Sequence, residues 1–265
     1  MNGLEMNLEM NLEMRMKNKT PNGYTIYDGP SLLDGMPIIC VALTGKSKNS
    51  KTGAMMQTVI IRKDIAPIEA NRTGADYSIC GECPHKGTPT NKDKGTAAGR
   101  ACHVTLMHSP NTVYKQFHLG AYPHLSQDEL PELGKDWKIR IGFYGDGACI
   151  PSDIWKALLS QAKGHTGYSH QINESQADFL SSLYMQSVET EMQAFAAWSK
   201  NIRTFRIIKD VSEIVDGKEI LCPASEEAGS RTTCLECGLC AGTMTKSKKS
   251  IAIVAHGAGK KHFAA

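Results

Sequence analysis

A chain of 265 residues that is 41% hydrophobic can bury one large core or two modest ones, while its formal charge of +3 falls short of the strong basic stripe that announces a nucleic-acid binder. No run approaches the roughly 18–20 apolar residues that span a bilayer, and the start Met1-Asn2-Gly3-Leu4-Glu5 has neither the apolar centre nor the cleavage site of a secretory signal. A cytoplasmic protein with no membrane segment is therefore expected, and in that reducing compartment nine cysteines point to metal ligation or catalysis rather than to disulfides.

Residues 1–16 repeat a short unit, with Asn7-Leu8-Glu9-Met10 followed by Asn11-Leu12-Glu13-Met14. Residues 1–20 read as a low-complexity, dispensable leader, and residues 21–265 as a single α/β metal-binding domain. Short β-branched or aromatic runs predict strands at Tyr24–Tyr27, Pro37–Leu43 and Gln57–Arg62. The Gly-, Thr- and Lys-rich stretch 70–100 predicts a long loop, a feature that in a compact domain usually has a purpose. Ser109-Pro110 opens a helix that runs through Leu119 and stops at Gly120.

From Trp137 onward the pattern is regular. Strands are predicted at Lys138–Tyr144, His165–Ser169, Leu183–Val188, Arg203–Ile208, Glu219–Leu221 and Ser250–Ala255. Helices are predicted at Ser152–Ala162, after the capping-box pattern Asn173-Glu174-Ser175-Gln176, and after a second one, Thr190-Glu191-Met192-Gln193. Strands alternating with helices imply a parallel sheet, because a parallel pair needs a crossover. The architecture expected is a full or partial (β/α) barrel, with an open doubly wound sheet as the runner-up.

In such folds the chemistry lies at the C-terminal strand ends. Those ends carry Tyr144 and Asp146, Tyr168 and His170, Ser187 and Glu189, Arg206, and His256. Asp146, Tyr168, His170, Ser187 and Arg206 are the candidates to line a substrate cavity. Asp146 stands between glycines that let backbone approach a ligand, although Gly-Asp-Gly is also an ordinary turn sequence. Of the two histidines around Thr166-Gly167-Tyr168-Ser169, one of His165 and His170 is expected at the mouth.

The cysteines fall into two groups. Cys80-Gly81-Glu82-Cys83 is followed by Cys102; Cys222-Pro223 is followed by Cys234-Leu235-Glu236-Cys237-Gly238-Leu239-Cys240. A C-x2-C-x2-C run with a remote cysteine before proline is a ferredoxin-like spacing, in which three thiolates on one loop take three corners of a cubane and the remote one takes the fourth. Zinc is the competing metal, since two C-x2-C pairs can build a tetrathiolate site, but it would leave the triple run over-supplied. Cys40 and Cys149 read as core hydrophobes, and His85 and His103 as neighbours of ligands rather than ligands. Gly257-Ala258-Gly259-Lys260 is not a phosphate loop, because Val254 stands where the upstream glycine belongs.

Taken as an ordered set, Arg140-Ile141-Gly142-Phe143-Tyr144-Gly145-Asp146, Gly164 to His170, Met185 to Glu189, Arg203 to Arg206, Leu221 to Ser225 and the closing cysteine run resemble a group of uncharacterised cysteine-rich proteins of bacteriophages and related mobile elements. Those proteins are in turn similar to radical-SAM enzymes. The resemblance covers roughly residues 37–257. It implies a phage origin, a partial barrel and [4Fe-4S] ligation in the host cytoplasm, and it implies no substrate. Radical-SAM enzymes usually present C-x3-C-x2-C on one loop, whereas the first group here is C-x2-C with a distant third cysteine. An open iron remains in such a cluster, but the altered spacing weighs against S-adenosylmethionine.

Two functions of different class follow. In the first, the chain is an iron–sulfur enzyme, with an open-site cluster on Cys80, Cys83 and Cys102 and a closed one on Cys222, Cys234, Cys237 and Cys240. In the second, a cluster or zinc only staples the loops of a nucleic-acid- or protein-binding module without catalysis, and nucleic acid would be reached through Lys246, Lys248, Lys249, Lys260 and Lys261.

Overall fold

Without a helix between them, the first strands turn back on themselves. In the computed structural model, which describes residues 21–45, 49–172, 177–257 and 259–263 (of 177 and 178 the backbone alone), β1 (Gly23–Pro30), β2 (Pro37–Leu43) and β3 (Met56–Arg62) pair antiparallel. Ile38, Ile39, Cys40, Val41 and Ala42 on β2 are all fully buried, as a strand covered on both faces requires. The predicted leader and the capping-box pattern at 173–176 lie outside the described residues.

The chain then leaves the sheet for a long excursion. The stretch 70–100 is not the uninterrupted loop expected of it: α1 (Pro67–Thr73) and α2 (Tyr77–Cys80) are helical. Pro67 at the first helical turn presets φ, and Gly74, at φ 85°, ends the first helix after only two turns. Pieces this short leave no periodic signal. After α3 (Ser109–His118) and α4 (Leu130–Gly134) the chain returns as β4 (Lys138–Tyr144), parallel to β3. A crossover through α5 (Ser152–Leu159) brings in β5 (Gly164–Thr166), parallel to β4. This first sheet has five strands in the order β1-β2-β3-β4-β5 and is mixed, so the all-parallel expectation fails where β1 to β3 lack intervening helices.

Gly167 ends the first sheet and starts the second. The predicted strand His165–Ser169 is therefore two: β5 stops at Thr166, and β6 (Tyr168–Ser169) belongs to the next sheet. A Cβ at Gly167 would lie 2.6 Å from the Tyr184 ring, so only glycine lets the chain pass there. The backbone N–H of Gly167 donates to Cys240 at 2.9 Å, and its carbonyl accepts from Met185 at 3.1 Å. The second sheet is parallel throughout, in the order β6-β7-β8-β10-β9. It is built by α6 (Ala177–Leu183), β7 (Met185–Val188), α7 (Glu191–Ser199), β8 (Thr204–Ile208), β9 (Glu219–Leu221), α8 (Cys234–Cys237) and β10 (Ser250–Val254). The predicted Thr190 capping box is present at the start of α7, with Thr190 and Gln193 bonding reciprocally. The two sheets do not close into a barrel among the described residues. Nor is any helix among them long and apolar enough to cross a membrane.

Alternation along β8 separates two faces. Phe205 and Ile207 join Tyr168, Met185, Ile251, Ile253, Cys222 and Cys240 in one apolar cluster. Ile208 packs on the other face with Ala252 and Val254. Arg206 also points away from the first cluster, into a buried ion pair with Glu219: Nε donates to Oε1 at 2.9 Å and Nη2 to Oε2 at 2.6 Å. Arg206 therefore does not line the cavity expected of it. Its place in the period-two pattern turns it to the opposite face.

Candidate functional site

The parallel strands β4, β6, β7, β8 and β10 end around one cavity of about 180 Å³. Tyr144 and Asp146 line it from β4, Tyr168 and His170 from β6, Ser187 and Glu189 from β7, and His256 from the end of β10. Apart from Arg206, each residue singled out at a strand end is thus brought to one place. His165 is not; it is buried, with Nε2 2.9 Å from the Leu183 carbonyl oxygen, and burial lowers its pKa.

The other wall comes from the excursion between β3 and β4. Cys80, Cys83 and Cys102 all border the cavity. Cys80 is the last residue of α2, and the N–H of Cys83 donates back to its carbonyl at 3.1 Å. Gly81, at φ 51°, makes that turn under the side chain of Gln171. The N–H groups of Ala101 and Cys102 both donate to the His85 carbonyl, at 3.1 and 2.9 Å, and this brings the distant third cysteine beside the pair. Burial, then the nearby Asp76 and the other two thiols, raise the Cys80 pKa well above the thiol range. A metal would have to drive off that proton.

Two polar groups at the cavity lack partners. The Tyr144 hydroxyl and the Arg100 Nε are buried with no hydrogen bond, and both side chains border the cavity. Tyr144 is only 4% exposed. Burial raises its hydroxyl well above the phenol range, reinforced by Cys80, Asp76 and Cys102 around it. A buried polar atom left unpaired costs about 1–3 kcal/mol, which a bound polar group would offset.

Asp146 has a more specific place than either expectation for it. It lines the cavity and is 7% exposed, yet both carboxylate oxygens are used by the chain itself. Oδ1 accepts from the Ala148 N–H at 3.0 Å, capping the turn Gly147–Cys149, and Oδ2 accepts from the His170 N–H at 2.9 Å. Burial raises its pKa, opposed by those two hydrogen bonds. Asp146 is thus a positioning residue for His170. Asparagine cannot replace it, because one backbone N–H would then face an amide N–H. Asp146→Asn is expected to cost about 1–3 kcal/mol of stability in denaturant unfolding; a loss below about 0.5 kcal/mol would show that the two oxygens are not both engaged.

His170, His85 and Glu189 meet at the cavity. His170 Nε2 lies 2.9 Å and His85 Nε2 lies 3.3 Å from Glu189 Oε1. Burial opposes a charge on His170, but hydrogen bonds with Cys83 and Glu189 outweigh it and raise the imidazole to about 10. Burial would likewise raise Glu189, and the two histidines overcome it, lowering the carboxyl to about 2. From sequence His85 reads only as a neighbour of ligands, and Arg100 is not singled out at all. His85 had one signal, its place two residues beyond Cys83; Arg100 had only its place beside Cys102.

The second cysteine group sits one side chain away. Cys222 follows β9, and Cys234 and Cys237 are the ends of α8, whose cap is the reciprocal pair Thr233 and Glu236. Cys240 is buried and feels the charges of Cys222, Cys234 and Cys237. Burial pushes its thiol up to about 12, against a hydrogen bond from Tyr168. Tyr168 lines the cavity and packs on Phe205, with ring centroids 4.2 Å apart, so a single aromatic layer separates the cavity from the second group. Cys40 and Cys149 are fully buried core residues. Lys246, Lys248, Lys260 and Lys261 are exposed, Lys249 is half-buried, and of the five only Lys260 borders the cavity. No protein-family profile, curated protein or solved structure matches the chain.

Proposed function

We propose that this chain is an iron–sulfur protein, a redox or radical-SAM-like enzyme with two clusters, one of them facing its substrate cavity. The observation that carries the reading is the position of Cys80, Cys83 and Cys102: two thiols from one turn and a third from a distant segment border the one cavity at the C-terminal strand ends. They would hold a cluster through three irons and leave the fourth open to the cavity. Cys222, Cys234, Cys237 and Cys240 would hold a second cluster with four protein ligands, behind Tyr168. A bound cluster supplies one-electron transfer. Partial-barrel geometry is part of the proposal, supported by strands that run parallel from β3 to β5 and again from β6 to β9, with Gly167 as the joint.

The cysteine pattern supports clusters over zinc, because Cys234, Cys237 and Cys240 follow a C-x2-C-x2-C spacing with Cys222 as a remote fourth ligand before Pro223. The orphaned Tyr144 hydroxyl and Arg100 Nε suit the cavity-facing cluster, since donors beside the thiolates can bond cluster sulfur or a ligand on the open iron.

The chain isolated without oxygen is expected to be brown, with charge-transfer absorption near about 400 nm and acid-labile sulfide equal to its iron. A colourless protein that takes up stoichiometric zinc and no sulfide on reconstitution would overturn the reading. Adding S-adenosylmethionine to the reduced protein then separates the two kinds of enzyme. A changed cluster spectrum supports the radical-SAM-like form, and an unchanged one leaves plain redox chemistry.

A further inference from the structure

We propose that His85, His170 and Glu189 form a site for one divalent transition-metal ion, separate from both cysteine groups and opening on the same cavity. Their ligand atoms all lie within 4.8 Å of one another. The two imidazole nitrogens stand 2.9 and 3.3 Å from one carboxylate oxygen. Metal–nitrogen and metal–oxygen bonds of about 2.0–2.2 Å, set at octahedral to tetrahedral angles, give ligand-to-ligand edges of roughly 2.9–3.5 Å. Both histidine-to-glutamate distances therefore already match edges of a coordination shell, and the third pair lies within 4.8 Å.

Backbone contacts hold all three in place, which a binding site needs and a chance surface ion pair lacks. The His85 carbonyl accepts two N–H groups, from Ala101 and Cys102. The His170 N–H is fixed by Asp146. The Glu189 N–H donates to Gln193 Oε1 at 2.9 Å, within the cap of α7. Phe263 stacks on the His85 ring at 5.7 Å and 25°, setting its plane. Two imidazoles and one carboxylate suit Fe(II), Mn(II) or Zn(II), and three protein ligands leave coordination positions open. Those positions face the cavity, where Ser187 is an available hydroxyl. The site itself requires no cluster.

Mn(II) is the probe, because it prefers oxygen and nitrogen donors and is a poor ligand partner for thiolate. The full chain, isolated anaerobically, is titrated with Mn(II) while the signal of the free ion is followed by electron paramagnetic resonance. One saturable ion per chain is expected. Glu189→Gln and His85→Gln should each weaken it by at least the roughly 10- to 100-fold that outer-shell changes alone cause, with circular dichroism confirming that each variant is folded. Should Glu189→Gln unfold, His85→Gln, on a half-buried turn, carries the comparison. Absence of a saturable site in the unaltered chain, or a site that neither variant moves, would show that the triad is an ion pair only. Sulfide counted on the same sample tests the clusters independently: Mn(II) binding without sulfide keeps this site and removes the clusters, and the reverse result does the opposite.

Discussion

Glu219→Ala is expected to destabilise the chain by about 3–5 kcal/mol, the cost of leaving a buried charge without its partner. Arg206 and Glu219 are 3% and 4% exposed. The guanidinium meets the carboxylate through two nitrogens, a bidentate arrangement of charge-assisted bonds. The carboxylate also accepts from the Val215 N–H at 3.0 Å, and the guanidinium donates to the Glu213 carbonyl at 2.7 Å. Truncating Glu219 strands the Arg206 charge and the Val215 N–H together. Replacing both partners with apolar side chains of similar volume, Arg206→Met with Glu219→Leu, should recover much of the loss, because desolvation then no longer opposes burial. The pair lies on the sheet face turned away from the cavity, so under the proposed iron–sulfur reading the iron content should not change in the double variant. Denaturant unfolding with iron analysis checks both statements; loss of iron with retained stability would place Arg206 back in the site.

Under the proposed two-cluster reading, exchanging Cys234 and Cys237 together for serine is expected to remove about half of the iron and sulfide, as loss of one of two equal clusters would. Between β9 and β10 the regular structure is slight: α8 has four residues and the turn Gly242–Met244 three. This segment owes its path to Arg203, whose Nη1 donates to the Leu239 and Gly242 carbonyls and whose Nε and Nη2 donate to the Lys249 carbonyl. Ligation by Cys222, Cys234, Cys237 and Cys240 would tie the same segment to the end of β9. Because metal binding and folding are linked, the double variant should be cut first within 223–249 by limited proteolysis, while the first sheet stays intact. Full iron retention would mean that these cysteines are not ligands. A complementary Cys83→Ser variant should lose the other half and leave the proteolysis pattern unchanged.

Much of this architecture is set by local physics, and so it is legible in the residues. Period-two and period-3.6 patterns are local, and Pro37–Leu43, Lys138–Tyr144 and Glu219–Leu221 lie in the structure where those patterns put them. The Thr190 cap is equally local. Strand ends follow from the strands, so the convergence of Tyr144, Asp146, Tyr168, His170, Ser187 and Glu189 on one cavity is implicit in the sequence once a parallel sheet is assumed. Spacing also put the cysteines into two groups. What the pattern could not supply is which face of a strand meets the cavity. Period two sets Arg206 opposite Phe205 and Ile207, but the pairing of β8 with β10 and the buried carboxylate of Glu219 decide that its face is the one turned from the cavity. Nor could it show that Gly167 divides one predicted strand between two sheets, because the reason is the Tyr184 ring, 17 residues further along the chain. The His85–His170–Glu189 cluster is tertiary in the same sense. Its members come from a turn after Cys83, the end of β6 and the end of β7, and no spacing in the chain links them. The residues themselves specify the elements and the chemical types available; long-range packing alone decides which of those types share a cavity.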